Sequence, residues 1–515
     1  MPNTAKELYR QLRVLPWDRL WHGEAARFDR AAPAERLERV AVIRAVGVVF
    51  GESGAVEQKE AVRLWLRSLL HDPGEKIRRY AMAALPKIGA GPEEEAELLA
   101  LRRATSSGRE KKFLTQTLEK IGGTATLQIM EKEADALLRQ TEQKVKAGIA
   151  RRESPSAVWM NGMLTDFAGL RIHLRGRRGL ERMVRDEVAE SVRARGKFRL
   201  AGIGSGLVAI TPAAPFCLAD IYALRCFGTV GFVLGGAPIA DETAGVAALA
   251  PVIASPLSRR ILSAFTQGAI RYRLNFVGRG HQRSAVRELA GRVYTLCPEM
   301  LNDGRSVTWT MDLCAEGRGV WVELRPNLTP DPRFYYRRAD IPAASHPPLA
   351  ACLARLAGRA PHEIIWDPFC GSGLELIESA LLGGVERIHG TDRSAAAIAA
   401  ARRNFAAAKA DPAATELTCG DFRDVAGSAG LGPNSVTLVI TNPPMGRRVP
   451  IADLRGLMGD LFAVAATVLR PGGRLVLANP LFMETPPPSL QLEFRQPVDF
   501  GGFDCRLEKY RKRAR

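Results

Sequence analysis

From about residue 345 the chain alternates short apolar runs with helix-period segments, and the runs stop at an acid or an amide. They are EIIWD (363–367), RIHGTD (387–392), ELTCGD (416–421) and VTLVITNPP (436–444), with GLELIESALLG and SAAAIAAARRNFAAAKA among the intervening segments. Apolar runs of this length flanked by helices are buried on both faces, and a parallel, doubly wound α/β sheet satisfies them. VLRPGGRLVLANP (468–480) adds a helix stopped by Pro471-Gly472-Gly473 and one more buried strand. In such a sheet the residues that end neighbouring strands converge on one edge, where ligands bind.

The remainder cannot share that core, because 515 residues exceed what one hydrophobic core organises. Residues 1–124 read as a helical repeat region: KIRRYAMAALPKIG (76–89) superimposes on REKKFLTQTLEKIG (109–122) after 33 residues, matching Leu85 to Leu118 and Ile88-Gly89 to Ile121-Gly122. Helix pairs of HEAT-like character are expected, bracing the chain or engaging a protein partner. Residues 125–164 form a charged helical connector. Between 165 and 335 the period shortens to two, as in IRYRLNF (270–276), whose alternation predicts a half-buried strand with a basic face. The segments 306–313 and 318–324 alternate similarly and suggest a hairpin; with the helices between, this is an α+β domain. The alternating α/β region occupies 336–515.

The strongest local signal is WDPFCGSGLELIE (366–378): an acid ending a strand, a small-residue turn, and a helix. Gly371 and Gly373 allow close backbone approach to a ligand, although a lone Gly-x-Gly is equally a structural turn. Position 376 is Leu where a dinucleotide fingerprint needs glycine, which argues against a nicotinamide cofactor. Asp392 follows Gly371 by 21 residues, a spacing suited to holding ribose hydroxyls. Asp421 could accept from an adenine amine beside the flat Phe422. The fourth strand ends in TNPPMG (441–446), where Pro443 and Pro444 remove backbone donors and leave Asn442 and its neighbours to accept hydrogen bonds from an amine. Gripping the hydrogens of an exocyclic base amine favours a pyramidal nitrogen with a freed lone pair.

These residues resemble class I methyltransferases that carry a THUMP RNA-binding domain and modify guanine N2 in transfer or ribosomal RNA, with a UPF0020-like catalytic domain. The resemblance covers roughly 165–515. It rests on DPFCGSG, GTD (390–392), GDF (420–422) and NPPMG in order, with RGLERMVRDE (178–187) and YRLNFVGRGHQR (272–283) as N-terminal and THUMP-like segments. It implies that Asp367, Phe369, Gly371 and Gly373 shape the methionine end of S-adenosylmethionine, that Asp392 holds the ribose, and that Asp421 and Phe422 hold the adenine. Asn442, Pro443, Pro444 and Met445 would form the catalytic amine-binding loop. Two positions depart from the family: Leu374 replaces a threonine, and Met445 replaces the Tyr or Phe that stacks on the target base.

A formal charge of +18, from 73 Lys+Arg against 55 Asp+Glu, favours a polyanionic partner. Arg271, Arg273, Arg279, His281 and Arg283 are the expected RNA-binding group, with Arg171, Arg175, Arg177 and Arg178 around another strand. Eight cysteines without a C-x-x-C pair, and no His/Cys cluster, point to no metal and no disulfide framework. The first residues lack a signal-peptide pattern, and no apolar run is long enough to span a membrane, so a cytoplasmic protein is expected. The expected function is methyl transfer to an exocyclic base amine of tRNA or rRNA, guanine N2 first. An adenine-N6 nucleic acid methyltransferase and a catalytically weak RNA-binding or assembly protein are the alternatives.

Overall fold

The computed structural model describes residues 4–514, apart from 55, 90, 133–135, 154, 239–241, 279–281, 305–306, 317–318, 343, 409–413, 425–429, 447–450 and 482–485. The chain divides into two compact units, each assembled from three stretches. The first comprises 1–157, 236–255 and 266–320; the second comprises 158–235, 256–265 and 321–515. The stretch 165–335, read from the sequence as one domain, therefore contributes to both units.

In the first unit the repeat has a physical basis. Leu85, Ile88, Leu118 and Ile121 all enter one apolar cluster, so equivalent positions of the two copies serve the same core. Ion pairs also join residues 30–32 positions apart. Arg78 in helix Glu75–Ala84 meets the buried Glu110 in helix Gly108–Ile121 at 2.6 Å. Arg63 likewise pairs with the buried Glu94, and Arg67 with Glu97.

The same unit contains strand Arg271–Phe276, which lies in parallel register between Leu301–Asn302 and Trp309–Glu316. Here a sequence expectation is corrected: Arg271 is only 2% exposed and does not belong to a basic face. Its Nη2 donates at 3.0 Å to the carbonyl of Ala150, in the last turn of helix Ala136–Glu153, where carbonyls lack helical partners. A neighbour on each side makes the strand central, and the helix end covers its start. Arg273 stays exposed while donating to Thr310 Oγ1 at 3.0 Å, and Arg283 is exposed at the start of helix Arg283–Leu296. Arg279 and His281 lie outside the described residues.

The second unit begins with antiparallel strands: Arg171–Arg175 pairs with both Leu207–Pro212 and Thr229–Pro238, and Phe198–Gly204 pairs with Leu207–Pro212. Arg175 is committed to an internal network, because it and His173 both donate to the buried Glu323. Burial alone would raise the Glu323 carboxyl, but these donors hold it at about 2. Arg333, 4% exposed, joins this part to the rest of the unit by donating to the carbonyls of Phe227 and Gly228 at 2.7 and 3.2 Å. Arg225 makes two 2.7 Å bonds to Glu378.

The rest of the unit is the alternating region, and its sheet has seven strands. They are β1 (Glu363–Asp367), β2 (Val385–Asp392), β3 (Ala414–Cys419), β4 (Val436–Thr441), β5 (Leu469–Asn479), β6 (Leu490–Asp499) and β7 (Asp504–Lys512), with helices α1 (Leu374–Leu382), α2 (Ala395–Ala408) and α3 (Leu454–Val468). The order is β3-β2-β1-β4-β5-β7-β6, parallel through β5, with β7 antiparallel to both β5 and β6. The chain reverses its direction of sheet growth between β1 and β4, which opens a crevice at their carboxyl ends.

Candidate active site

That crevice is a cavity of ≈ 1220 Å³ lined by the turn after β1, the ends of β2 and β4, the 341–349 segment, the residues after β3, and the tip of the β6–β7 hairpin. Of the residues singled out in the sequence, Phe369, Gly371, Asp392, Phe422, Asn442, Pro443, Pro444 and Met445 line it, whereas Asp367, Gly373 and Asp421 do not.

The turn between β1 and α1 is held by its own backbone. Phe369 N donates to Asp367 Oδ1, and Gly371 N to Asp392 Oδ2, each at 3.0 Å. Gly373 N donates to Cys370 O at 2.7 Å. Gly371 and Gly373 take φ of +52° and +84°, the left-handed region where glycine is favoured. A Cβ on Gly373 would come within 3.0 Å of the Phe405 ring, so this glycine lets α1 pack on α2 rather than facing a ligand. Asn404 in α2 braces the turn, donating to Ser372 O and Ala339 O at 2.9 and 3.0 Å.

Asp367 is fully buried beneath the turn. Burial pushes its carboxyl well above the usual range, and the neighbouring Glu375 pushes it further. Glu375, at the start of α1 and 3% exposed, does line the cavity, and burial raises its carboxyl to about 7. It accepts a hydrogen bond from Ser345 Oγ. Ser345 in turn accepts from Asn442 Nδ2 at 2.8 Å. With its nitrogen so engaged, Asn442 presents Oδ1 as a buried acceptor that has no partner among the described residues.

Asp421 turns to its neighbour Arg423, accepting from Arg423 N at 3.0 Å and facing its guanidinium at 3.3 Å. Phe422 instead packs against Phe369, ring centroids 4.8 Å apart, as an apolar wall. Leu374 is buried with Phe334, Tyr336 and Ile377 and supplies apolar contact where a threonine would bring a hydroxyl. Sequence reading passed over Ser345, Glu375, Phe500 and Phe503, and it named Arg177, which also lines the cavity, only among the basic residues around a strand. Only Glu375 carried a local signal, an acid one residue inside a helix that must pack on a buried sheet. The others reach the cavity from segments far away in sequence.

An apolar wall made by Phe369 and Phe422, the Asp392 carboxylate at the second strand end, and an uncrowded glycine backbone at 371 together fit a nucleoside joined to a small zwitterion. The comparisons agree. Residues 335–484 match the family model described as UPF0020, the RMKL-like methyltransferase domain. The chain is 27% identical over 189 residues to tRNA (guanine(10)-N2)-dimethyltransferase of Methanothermobacter thermautotrophicus, covering 36% of this chain and 51% of that one. It is 32% identical over 172 residues to ribosomal protein L11 methyltransferase of Azotobacter vinelandii, covering 32% of this chain and 51% of that one. The chain thus spans about half the length of the curated relatives it matches. Among solved structures, TrmN from Thermus thermophilus shares the fold at 19% identity and a TM-score of 0.51, covering 67% of this chain and 99% of its own. The C-terminal part is a Rossmann-like methyltransferase domain, and its cofactor is S-adenosylmethionine.

Proposed function

We propose that the protein transfers a methyl group from S-adenosylmethionine to the exocyclic N2 amine of a guanine in structured RNA. The observation that carries this reading is the Asn442 amide, whose Nδ2 is held by Ser345 so that its buried Oδ1 is left to accept from a donor entering the cavity. Two prolines follow it and offer no backbone N–H, so the loop is selective for groups that bring hydrogens. When bound, S-adenosylmethionine supplies a methyl group made electrophilic by its sulfonium. Asn442 Oδ1 accepts one amine hydrogen and steers the nitrogen lone pair. Phe369 and Phe422 keep water from one wall, and the Asp392 carboxylate is placed for ribose hydroxyls. The curated relative from Methanothermobacter supports guanine N2 by its printed activity. The net charge of +18 supports an RNA partner. The exposed Arg273 and Arg283 are the residues we assign to RNA capture.

The test is nucleoside mass spectrometry on total RNA incubated with the full chain and labelled S-adenosylmethionine. Label in N2-methylguanosine is expected. Label in N6-methyladenosine would redirect the reading to adenine, and no labelled nucleoside at all would overturn it.

A further inference from the structure

Met445 occupies the position at which the resembling family places an aromatic ring, yet the structure brings two rings to the same cavity from elsewhere. Phe500 and Phe503 close the β6–β7 hairpin, with Phe500 N donating to Phe503 O at 2.8 Å. Between them Gly501 and Gly502 take φ of +87° and +99°, and Asp499 Oδ1 accepts from both of their N–H groups at 2.7 and 3.1 Å. A turn so constrained presents its flanking side chains in fixed positions. The rings lie 5.7 Å apart, tilted by 49°, and both line the cavity with the Asn442–Met445 loop while remaining only half-buried.

Two further contacts tie the rings to the site. The Arg177 guanidinium also lines the cavity, sits 5.4 Å over the Phe500 ring and donates to Asp499 O at 3.4 Å. Its loop is pressed on the hairpin, since a Cβ on Gly179 would come within 2.1 Å of Pro497 O. Met445 points its sulfur at the Sγ of Cys505, 3.3 Å away on β7, so the methionine fastens the amine-binding loop to the hairpin that bears the rings.

We infer that Phe500 and Phe503 form a stacking subsite for a planar purine base, edged by Arg177, which takes over the role an aromatic residue at 445 would have. This rests on the reading that a base amine is the methyl acceptor. Ring faces stack on any base, and the Arg177 guanidinium adds a planar cation to the same surface. Recognition of the base edge remains with Asn442.

The full-length protein, saturated with S-adenosylhomocysteine, is titrated with 2-aminopurine riboside, whose fluorescence is quenched on stacking. The wild type should quench saturably. Phe500→Ala with Phe503→Ala should weaken the riboside by on the order of tenfold or more, with S-adenosylhomocysteine affinity unchanged. Phe500→Leu with Phe503→Leu preserves apolar bulk in the turn and should still lose most of the quenching. Adding Met445→Tyr to the double alanine variant should restore part of it. Wild-type riboside affinity in the double variants would overturn the subsite, as would loss of cofactor affinity in both of them. If the wild type methylates RNA while riboside binding ignores the rings, the subsite falls and the proposed function stands. If riboside binding needs the rings while no RNA is methylated, the proposed function falls and a purine site remains.

Discussion

Two loops of one sheet edge, the glycine turn after β1 and the Asn-Pro-Pro-Met loop after β4, reach the same cavity by different means. The first is largely self-contained: most of its hydrogen bonds join backbone to backbone or to the acids that end β1 and β2, with a brace from Asn404 of α2, and both its glycines take left-handed φ. The second is dependent. Asn442 is oriented by Ser345 and Glu375, and Met445 is fixed against Cys505 on a distant hairpin. On the proposed reading, the contrast teaches that a cofactor site can be written in one short segment, whereas a site for a large, variable substrate is collected from across the fold.

The dependent loop should be the more sensitive one in turnover. Asn442→Ala removes the proposed amine acceptor without touching the glycine turn, so single-turnover methyl transfer should fall by about 10²-fold, the usual cost of losing one preorganised hydrogen-bonding group. S-adenosylmethionine affinity by calorimetry should stay at the wild-type level. Equal losses in both would mean that the two loops are not separable.

The self-contained loop should break through stability instead. Gly373→Ala forces a side chain to φ +84° and against Phe405. Urea denaturation should show a loss of about 1–3 kcal/mol, with weaker cofactor binding. An unchanged midpoint would show that the turn relaxes freely.

The link from Glu375 through Ser345 to Asn442 predicts a pH dependence. Only an ionised Glu375 must accept from Ser345. A protonated one can donate to it and release Ser345 to donate to Asn442 Oδ1, turning the amide the wrong way. Transfer should therefore rise as pH passes through about 7, the step belonging jointly to Glu375 and Asp367, and Glu375→Gln should flatten that limb. The stability sign is opposite to that of an exposed, salt-bridged acid. Both carboxyls are raised on folding, so the folded state holds protons more tightly, and the stabilisation present in acid is lost as pH rises through the folded values. Thermal melts of the wild type across this range should fall more steeply than those of Glu375→Gln.

The smallest effect is expected at the basic residues assigned to RNA capture. Arg273→Glu with Arg283→Glu should weaken RNA binding and flatten the slope of log affinity against log salt by about 1–2. Arg271→Ala should leave that slope alone and lower stability, since Arg271 serves a helix end. Filter binding across a salt series separates the two.

Strand-end acids, turn glycines and apolar runs were enough to read the parallel sheet, the helix after the first strand and eight of the eleven cofactor and amine-loop residues that line the cavity, because these depend on neighbours in sequence. Alternation at 270–276 placed Arg271 on an outer face, but period alone cannot say that a helix terminus will cover one end of a strand. Asp421 looked like a ligand for the same reason that Asp392 did. Only the fold shows one directed to the cavity and the other to Arg423. Local pattern thus determined which segments become strands, helices and turns, since those states answer to hydrogen bonds and burial within a few residues. The tertiary structure alone decided that Ser345 would hold Asn442, that a buried Glu375 would face them, and that Phe500, Phe503 and Arg177 would line the same cavity as Met445, because proximity between residues tens to hundreds of positions apart is fixed by packing rather than by sequence spacing.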